Sequence, residues 1–121
     1  MTTHPVPTIE SFDGGVATPS GFRAAGLYVG IKAEGRGPDL ALIVSDAPAT
    51  AAAVFTTNKA QAAPVLVSRE HLEQTGGRAR AVVANSGCAN ACTGAAGMEH
   101  AREMTALTAA LVGCSPGEVL V

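Results

Sequence analysis

The residues with the types and spacing to do chemistry cluster in one stretch, Asn85-Ser86-Gly87-Cys88-Ala89-Asn90-Ala91-Cys92-Thr93-Gly94. It follows the apolar run Ala81-Val82-Val83-Ala84 and leads into a helix-like segment. A strand that opens into Asn, Ser, Gly and Thr sets small polar groups on the rim of a sheet, where α/β proteins hold ligands. Without long side chains, the backbone there can approach a partner closely. Asn85, Ser86, Gly87, Asn90, Thr93 and Gly94 are therefore candidate residues of a substrate pocket or of a tightly packed structural loop. Asn-Ser-Gly after a strand has the placement of a nucleophile elbow but not its G-x-S-x-G pattern. Cys88 offers a thiol nucleophile with His71 or His100 as base. Nothing in the sequence brings either histidine to it, and a lone His beside an apolar helical stripe is commonly a packing residue. Cys92 and Cys114 read as small buried hydrophobes. The C-x3-C spacing of Cys88 and Cys92 suits a metal, but there is no second cysteine pair and the histidines stand apart at 4, 71 and 100, so no metal site is expected. The glycines from Gly87 to Gly97 precede a helix whose free N–H groups could cradle an anion. They match neither a Walker A loop nor a dinucleotide fingerprint, and a plain Gly-rich connection accounts for them better. Lys32, Glu34, Asp39 and Lys59 stand near strand ends, where acid–base groups could be placed, and surface solvation explains each equally well.

The elements that must position this loop are short. Residues 1–20, with Pro5, Pro7, Pro19 and Gly14-Gly15 and no periodicity, read as a flexible N-terminal arm. Phe22 to Lys32 reads as a strand, and Gly35-Arg36-Gly37-Pro38 as a turn. Leu40 to Ser45 is a second strand, apolar on both faces, which predicts a sheet covered on both sides. Asp46-Ala47-Pro48 breaks it. Ala51 to Thr56 reads as a third strand and Pro64 to Val67 as a fourth. Ser68 is the expected N-cap of a short helix from Arg69 to Gln74, ended by Gly76-Gly77. Ala79 to Ala84 is the fifth strand. Met98 to Val112 is the principal helix, with Ala101, Met104, Leu107, Thr108 and Leu111 as its apolar stripe. Ser115-Pro116-Gly117-Glu118 is a capping-box pattern that predicts one helical turn, and Val119 to Val121 begins another strand.

Bulk properties set the class. The chain has 121 residues, enough for one domain. Hydrophobic residues make up 47% of it and its mean hydropathy is +0.26, which excludes a disordered chain. Aromatics are only 3%, so Ala, Val, Leu and Ile must build the core. The net charge of −2 without a basic cluster argues against a nucleic-acid partner. No apolar run approaches the roughly 20 residues of a membrane span, and no secretory signal is visible. Three cysteines in a chain without such a signal read as free thiols, and the cytoplasm is the expected compartment. The fold class expected is α/β, a layered mixed-sheet α/β sandwich with five or six strands and one principal helix. Function stays open on these grounds, and a non-catalytic small-molecule-binding α/β module using the Asn85–Gly94 loop is a self-consistent reading.

Several segments together resemble one family. They are Gly21-Phe22-Arg23-Ala24-Ala25-Gly26 with Gly30-Ile31-Lys32, Pro38-Asp39-Leu40-Ala41-Leu42, Ala53-Val54-Phe55-Thr56-Thr57-Asn58 with Ala62-Ala63-Pro64-Val65, and the loop from Asn85 to Gly94. In order and spacing, from Gly21 to Val121, the chain resembles the N-terminal part of the ornithine acetyltransferases, the bifunctional glutamate N-acetyltransferases of arginine biosynthesis. The resemblance implies that residues 21–121 are the N-terminal α/β part of an α chain, present only as part of the full fold. It implies acetyl transfer from N-acetylornithine to glutamate, with acetyl-CoA as a further acetyl donor in many members and no bound cofactor. It implies a precursor that cuts itself before a threonine, which becomes the N-terminus of a β chain and the nucleophile that carries the acetyl group. The partners implied are that β chain, in an assembly of two α and two β chains. Oxyanion donors lie in a Ser-Thr-Gly segment directly after a strand like Val119-Leu120-Val121. The sequence stops before that segment, so no family catalytic residue is carried onto a position here, and this piece alone is expected to be inactive. For the Asn85–Gly94 loop, packing is favoured over direct substrate contact.

Overall fold

The computed structural model describes residues 10–11 and 13–121. Residues 1–9 and 12 of the expected arm lie outside the described residues, and the rest of the arm up to Ser20 is exposed, with turns and no regular element. Four strands form one sheet in the order β1-β2-β3-β4: β1 Phe22–Leu27, β2 Leu40–Thr50, β3 Arg78–Asn85 and β4 Val119–Leu120. β1, β2 and β3 are antiparallel neighbours, and β4 runs parallel to β3 with Ala81 opposite Val119 and Val82 opposite Leu120. Two helices, α1 Ala63–Gln74 and α2 Gly94–Val112, supply the crossings. The class is α/β with a mixed sheet, as expected, though the described residues hold four strands and two helices.

The core sits between the helices and one face of the sheet. Leu40, Leu42 and Val44 of β2 turn toward Ala81, Val83, Ala109 and Val119. A second cluster joins Ala63 and Val67 of α1 to Ala101 of α2. Small side chains let the layers approach closely, so a core nearly free of aromatics still excludes water. The opposite face is not covered. Phe22 and Val82 are each 38% exposed, and with Ile43 and Leu120 they border a shallow concavity of about 240 Å³. The expectation of a sheet covered on both sides therefore fails within the described residues: apolar alternation identified both faces, but only one has a layer over it.

Other expectations are corrected at the elements themselves. The first strand ends at Leu27, not Lys32, because Val29, Ile31 and Lys32 give their N–H groups to the Asp39 carboxylate and not to a ladder. Asp46-Ala47-Pro48 does not end β2. It forms an irregularity between Val44 and Ala49, after which pairing with β3 resumes at Ala79 and Arg78. Ala51 to Thr56 is not a strand. It runs without a ladder and leaves Val54 99% exposed. Pro64 to Val67 is not a strand either. Pro64 opens α1, where its missing N–H costs nothing, and burial of Ala63, Val67 and His71 at a spacing of four overrides the β preference of two valines. Ser68 consequently lies within the helix and is not its cap.

The principal helix begins four residues early, at Gly94, and its buried stripe is Gly97, Ala101, Thr105, Thr108 and Ala109. Leu107 and Leu111, expected inside, are 61% and 85% exposed. Thr105 satisfies its hydroxyl on the Arg102 carbonyl at 2.8 Å, which lets a threonine occupy a fully buried position. The expected turn after Gly113 is present as a single 3₁₀ turn, Pro116–Glu118, with the Glu118 carboxylate accepting from the Ser115 N–H at 3.0 Å.

Candidate functional site

The loop from Asn85 to Gly94 divides into two halves with different surroundings. Asn85 ends β3 opposite Leu40, and the Ser86 N–H donates to the Asp39 carbonyl at 2.9 Å. The side chains of Asn85 and Ser86 are exposed beside a cleft of about 130 Å³ bordered by Pro38, Asp39 and Ala84. Gly87 follows with φ +103, and a Cβ there would sit 2.7 Å from Cγ of Lys32. Glycine is thus required twice at this position, for its backbone angle and for the lysine stem that lies on it.

The second half of the loop is bound to the start of α2. The Asn90 side-chain amide donates to the Gly97 carbonyl at 2.8 Å, and the Thr93 hydroxyl donates to the Asn90 side-chain oxygen. A Cβ on Gly97 would overlap both Thr93 Oγ1 and Asn90 Oδ1. Cys92 takes φ +57 and Gly94 φ +64 to make the reversal into the helix. Asn90 and Thr93 therefore spend their polar groups within the loop, whereas Asn85 and Ser86 present theirs outward. The structure does not bring all six candidate residues to one ligand-facing surface. Gly97 belongs to the same arrangement, and a Gly-Ala-Ala-Gly run after Thr93 is its only trace in the sequence.

Asp39 is the residue that surface reasoning missed. It is 2% exposed. One oxygen accepts from the Val29 N–H at 2.7 Å, and the other from Ile31 and Lys32 at 2.7 and 2.9 Å. Burial would raise its pKa. The N–H groups of Lys32, Val29 and Ile31, with the Lys32 charge, more than offset that and hold the carboxyl below its ordinary value of 3.8. Lys32 bends back to donate its ammonium to the Pro38 carbonyl at 2.8 Å, and Tyr28 donates its hydroxyl to the Lys32 carbonyl at 3.1 Å. Asp39 thus fastens residues 29–32 against the Gly87 turn. A buried carboxylate engaged by three backbone donors acts as a staple between loops.

The remaining chemical candidates are dispersed. Cys88 and Cys92 are exposed free thiols. Cys114 is half-buried. Burial and the nearby Glu118 charge raise its thiol pKa, against a smaller opposing effect of Arg80. His100, expected to pack, is exposed on α2. His71 is buried and bonded through Nδ1 to the Val119 carbonyl at 2.8 Å. No described hydrogen bond joins either histidine to Cys88, so thiol catalysis gains no geometric support. Glu34 and Lys59 are exposed. Glu70, which bridges to Arg102 of α2 at 2.8 Å, has its carboxyl pKa lowered by that guanidinium. Among the described residues no three His, Cys, Asp or Glu side chains gather as a metal site, and no helix is long and apolar enough to cross a membrane.

Comparison with known proteins gives these geometries a family context. The model of the ArgJ family matches residues 23–121. The arginine biosynthesis bifunctional protein ArgJ of Geobacter sulfurreducens is 59% identical over 101 residues, which are 84% of this chain and 25% of that protein. A mitochondrial ArgJ of Talaromyces marneffei is 51% identical over 123 residues, 99% of this chain and 26% of its own length. Among solved structures, ArgJ of Bacillus halodurans superposes with a TM-score of 0.83 at 41% identity, covering 89% of this chain and 55% of that one. The ornithine acetyltransferase of Mycobacterium tuberculosis, solved with ornithine, gives a TM-score of 0.76 at 47% identity, over 88% of this chain and 57% of that one. This chain thus spans about a quarter of the length of the curated relatives it matches.

Proposed function

The chain belongs to the ArgJ family, and from that premise we propose that it is the N-terminal, α-chain part of an enzyme that transfers acetyl from N-acetylornithine to glutamate. The support is the agreement of sequence and fold along nearly the whole chain, together with a site region whose polar groups are mostly consumed in holding loops. In this reading a threonine hydroxyl on the separate β chain attacks the acetyl carbonyl of N-acetylornithine. The amide C–N bond breaks, ornithine leaves with the proton taken from the hydroxyl, and an acetyl-threonine ester remains. The amine of glutamate then attacks the ester, giving N-acetylglutamate and restoring the hydroxyl. A free terminal amine serves as base for its own hydroxyl, and donors in a Ser-Thr-Gly segment beyond Val121 stabilise the oxyanion. Acetyl-CoA is a second acetyl donor by the same ester.

Residues 21–121 act here as framework. The open sheet face with Phe22, Ile43, Val82 and Leu120 takes its covering layer from the rest of the longer polypeptide, since exposed apolar side chains gathered on one face mark a surface that another layer buries. The working assembly is two α and two β chains, and the compartment is the cytoplasm.

Ornithine release from N-acetylornithine and glutamate tests the proposal. The full-length protein is expected to turn over and residues 1–121 alone to give none. Turnover by residues 1–121 alone contradicts the framework role. A full-length protein without turnover, alongside a cooperatively folding 121-residue piece that binds a small ligand, favours the non-catalytic binding module.

A further inference from the structure

Arg80 stands on the sheet face that has no layer over it. Along β3, Ala79, Ala81 and Val83 are buried, while Arg78, Arg80 and Val82 alternate with them and lie on the open face. Arg80 lines the concavity of about 240 Å³ together with Phe22, Ile43 and Val82. The irregularity in β2 leaves Ser45 without a partner in β3, and the Ser45 carbonyl accepts from Arg80 Nε at 3.0 Å. Pro48, within the same irregularity, accepts from Arg78 Nη2 at 2.8 Å. The backbone thus holds the Arg80 guanidinium on the open face, where a long charged side chain at a rim would trail into water. A guanidinium has five N–H donors and stays charged at any ordinary pH. Nε uses one of them, and the other four hold no described hydrogen bond. The ion pairs among the described residues are Arg23 with Asp46 and Arg102 with Glu70, and neither includes Arg80. Glu118, whose charge reaches the Cys114 thiol alongside that of Arg80, engages a carboxylate oxygen with the Ser115 N–H.

We infer that the layer covering this face carries an aspartate or glutamate opposite Arg80, and that this ion pair sets where the layer docks. The inference deepens the framework reading above and rests on it for the layer itself. The extent of the surface selects a polypeptide over a small free carboxylate. Phe22, Ile43, Val82 and Leu120 come one from each strand, so the apolar surface runs across the whole sheet, about 14 Å wide. A small molecule at Arg80 would leave most of it in water. Apolar contact is non-directional and lets a packed layer slide. A fixed cation within that surface does not, because covering it without a partner strands a charge in an apolar contact, which is strongly unfavourable. With Nε taken by Ser45, the end of the fork formed by Nη1 and Nη2 is left for a carboxylate. Its planar, two-pronged geometry is met in one register and not in its neighbours.

The test uses the full-length protein carrying Arg80→Lys, treated with a carbodiimide. The reagent activates a carboxyl group, the introduced amine attacks it to form an amide with net loss of water, and mass spectrometry of the digest finds the joined peptides. The expected product links position 80 to an aspartate or glutamate outside residues 1–121. Links only to Asp46, Glu118 or another carboxylate of this chain, or no link at all, overturn the inference. Arg80→Met tests it by sign. With a carboxylate opposite, the substitution leaves that charge buried and unpaired, and the urea midpoint of the full-length protein is expected to fall by roughly 1 M, with a smaller fall for Arg80→Lys. Without one, methionine suits an apolar face better than a cation, so a midpoint at or above wild type overturns the inference. Ornithine release by the wild-type protein is measured alongside. A link in a protein that releases no ornithine keeps the docking and refutes acetyl transfer, and turnover without a link does the reverse.

Discussion

Replacing Gly97 by alanine separates a local rule from the tertiary structure by the sign of its effect. Gly97 lies in α2, where exchanging glycine for alanine ordinarily stabilises by about 1 kcal/mol. Here the new methyl would overlap Thr93 Oγ1 and Asn90 Oδ1. To admit it, both side chains must leave, and two hydrogen bonds go with them: Asn90 to the Gly97 carbonyl, and Thr93 to Asn90. Each is worth about 1 kcal/mol net, and forcing a methyl into a filled space costs about 1–3 kcal/mol more. After the helical gain is set against these, the variant is expected to be less stable by about 2–4 kcal/mol. Urea unfolding of full-length Gly97→Ala beside wild type, followed by circular dichroism, reads the difference. Asn90→Ala, which removes both bonds without adding a methyl at Gly97, measures the hydrogen-bond part by itself, at about 2 kcal/mol. A Gly97→Ala protein more stable than wild type would refute the reasoning, since propensity would then have prevailed and the loop could not be packed as described.

Other expectations follow from the same packing. Asp39→Asn places an amide where two N–H groups converge on one oxygen, so residues 29–32 should lose hydrogen-exchange protection and the protein should unfold at lower urea concentration. Because the folded Asp39 pKa lies below the unfolded one, its stabilisation is complete above the ordinary aspartate range and is lost as pH falls through the folded value. Wild type should therefore lose more stability than Asp39→Asn on titration from pH 5 to about pH 2, and parallel curves would contradict the staple. Val67→Ala, at a fully buried position, should cost about 2 kcal/mol, while Leu111→Ala, on the exposed side of α2, should change stability by less than about 0.5 kcal/mol. Equal losses in urea midpoints would show that the helical stripe has been placed on the wrong face.

How far the sequence foretold this arrangement depended on whether a signal was local. Leu40, Leu42 and Val44 were readable as one face of a strand, and Ser115 with Glu118 as a capping box, because each pattern is complete within a few residues. The segment from Pro64 to Val67 misled, since valine preferences speak for a strand and only burial against Ala101 makes it helical. The stripe of α2 was misplaced because Leu107 and Leu111 are more apolar than the Thr105 and Ala109 that lie inside. In a core of small residues, hydrophobicity no longer marks the buried side. Asp39 gave no warning, for its three donors come from residues 7–10 positions earlier and depend on a turn whose closure no local pattern announces. At the Asn85–Gly94 loop the composition was legible, but the partition between inward Asn90 and Thr93 and outward Asn85 and Ser86 is set by how the loop folds back onto the start of α2. Ser68 and His71 were visible only as a would-be cap and a scattered histidine, because their partners lie 53 and 48 residues away.

The claim on which the account rests is that these residues hold the site while others react. Full-length protein mixed with N-acetylornithine, quenched in acid and digested, can be searched by mass spectrometry for a covalently held acetyl group. The acetyl is expected on a threonine outside residues 1–121, with every peptide from Phe22 to Val121 unmodified. Acetyl found on Cys88, Ser86 or any other side chain within this chain, and lost again on adding glutamate, would contradict it.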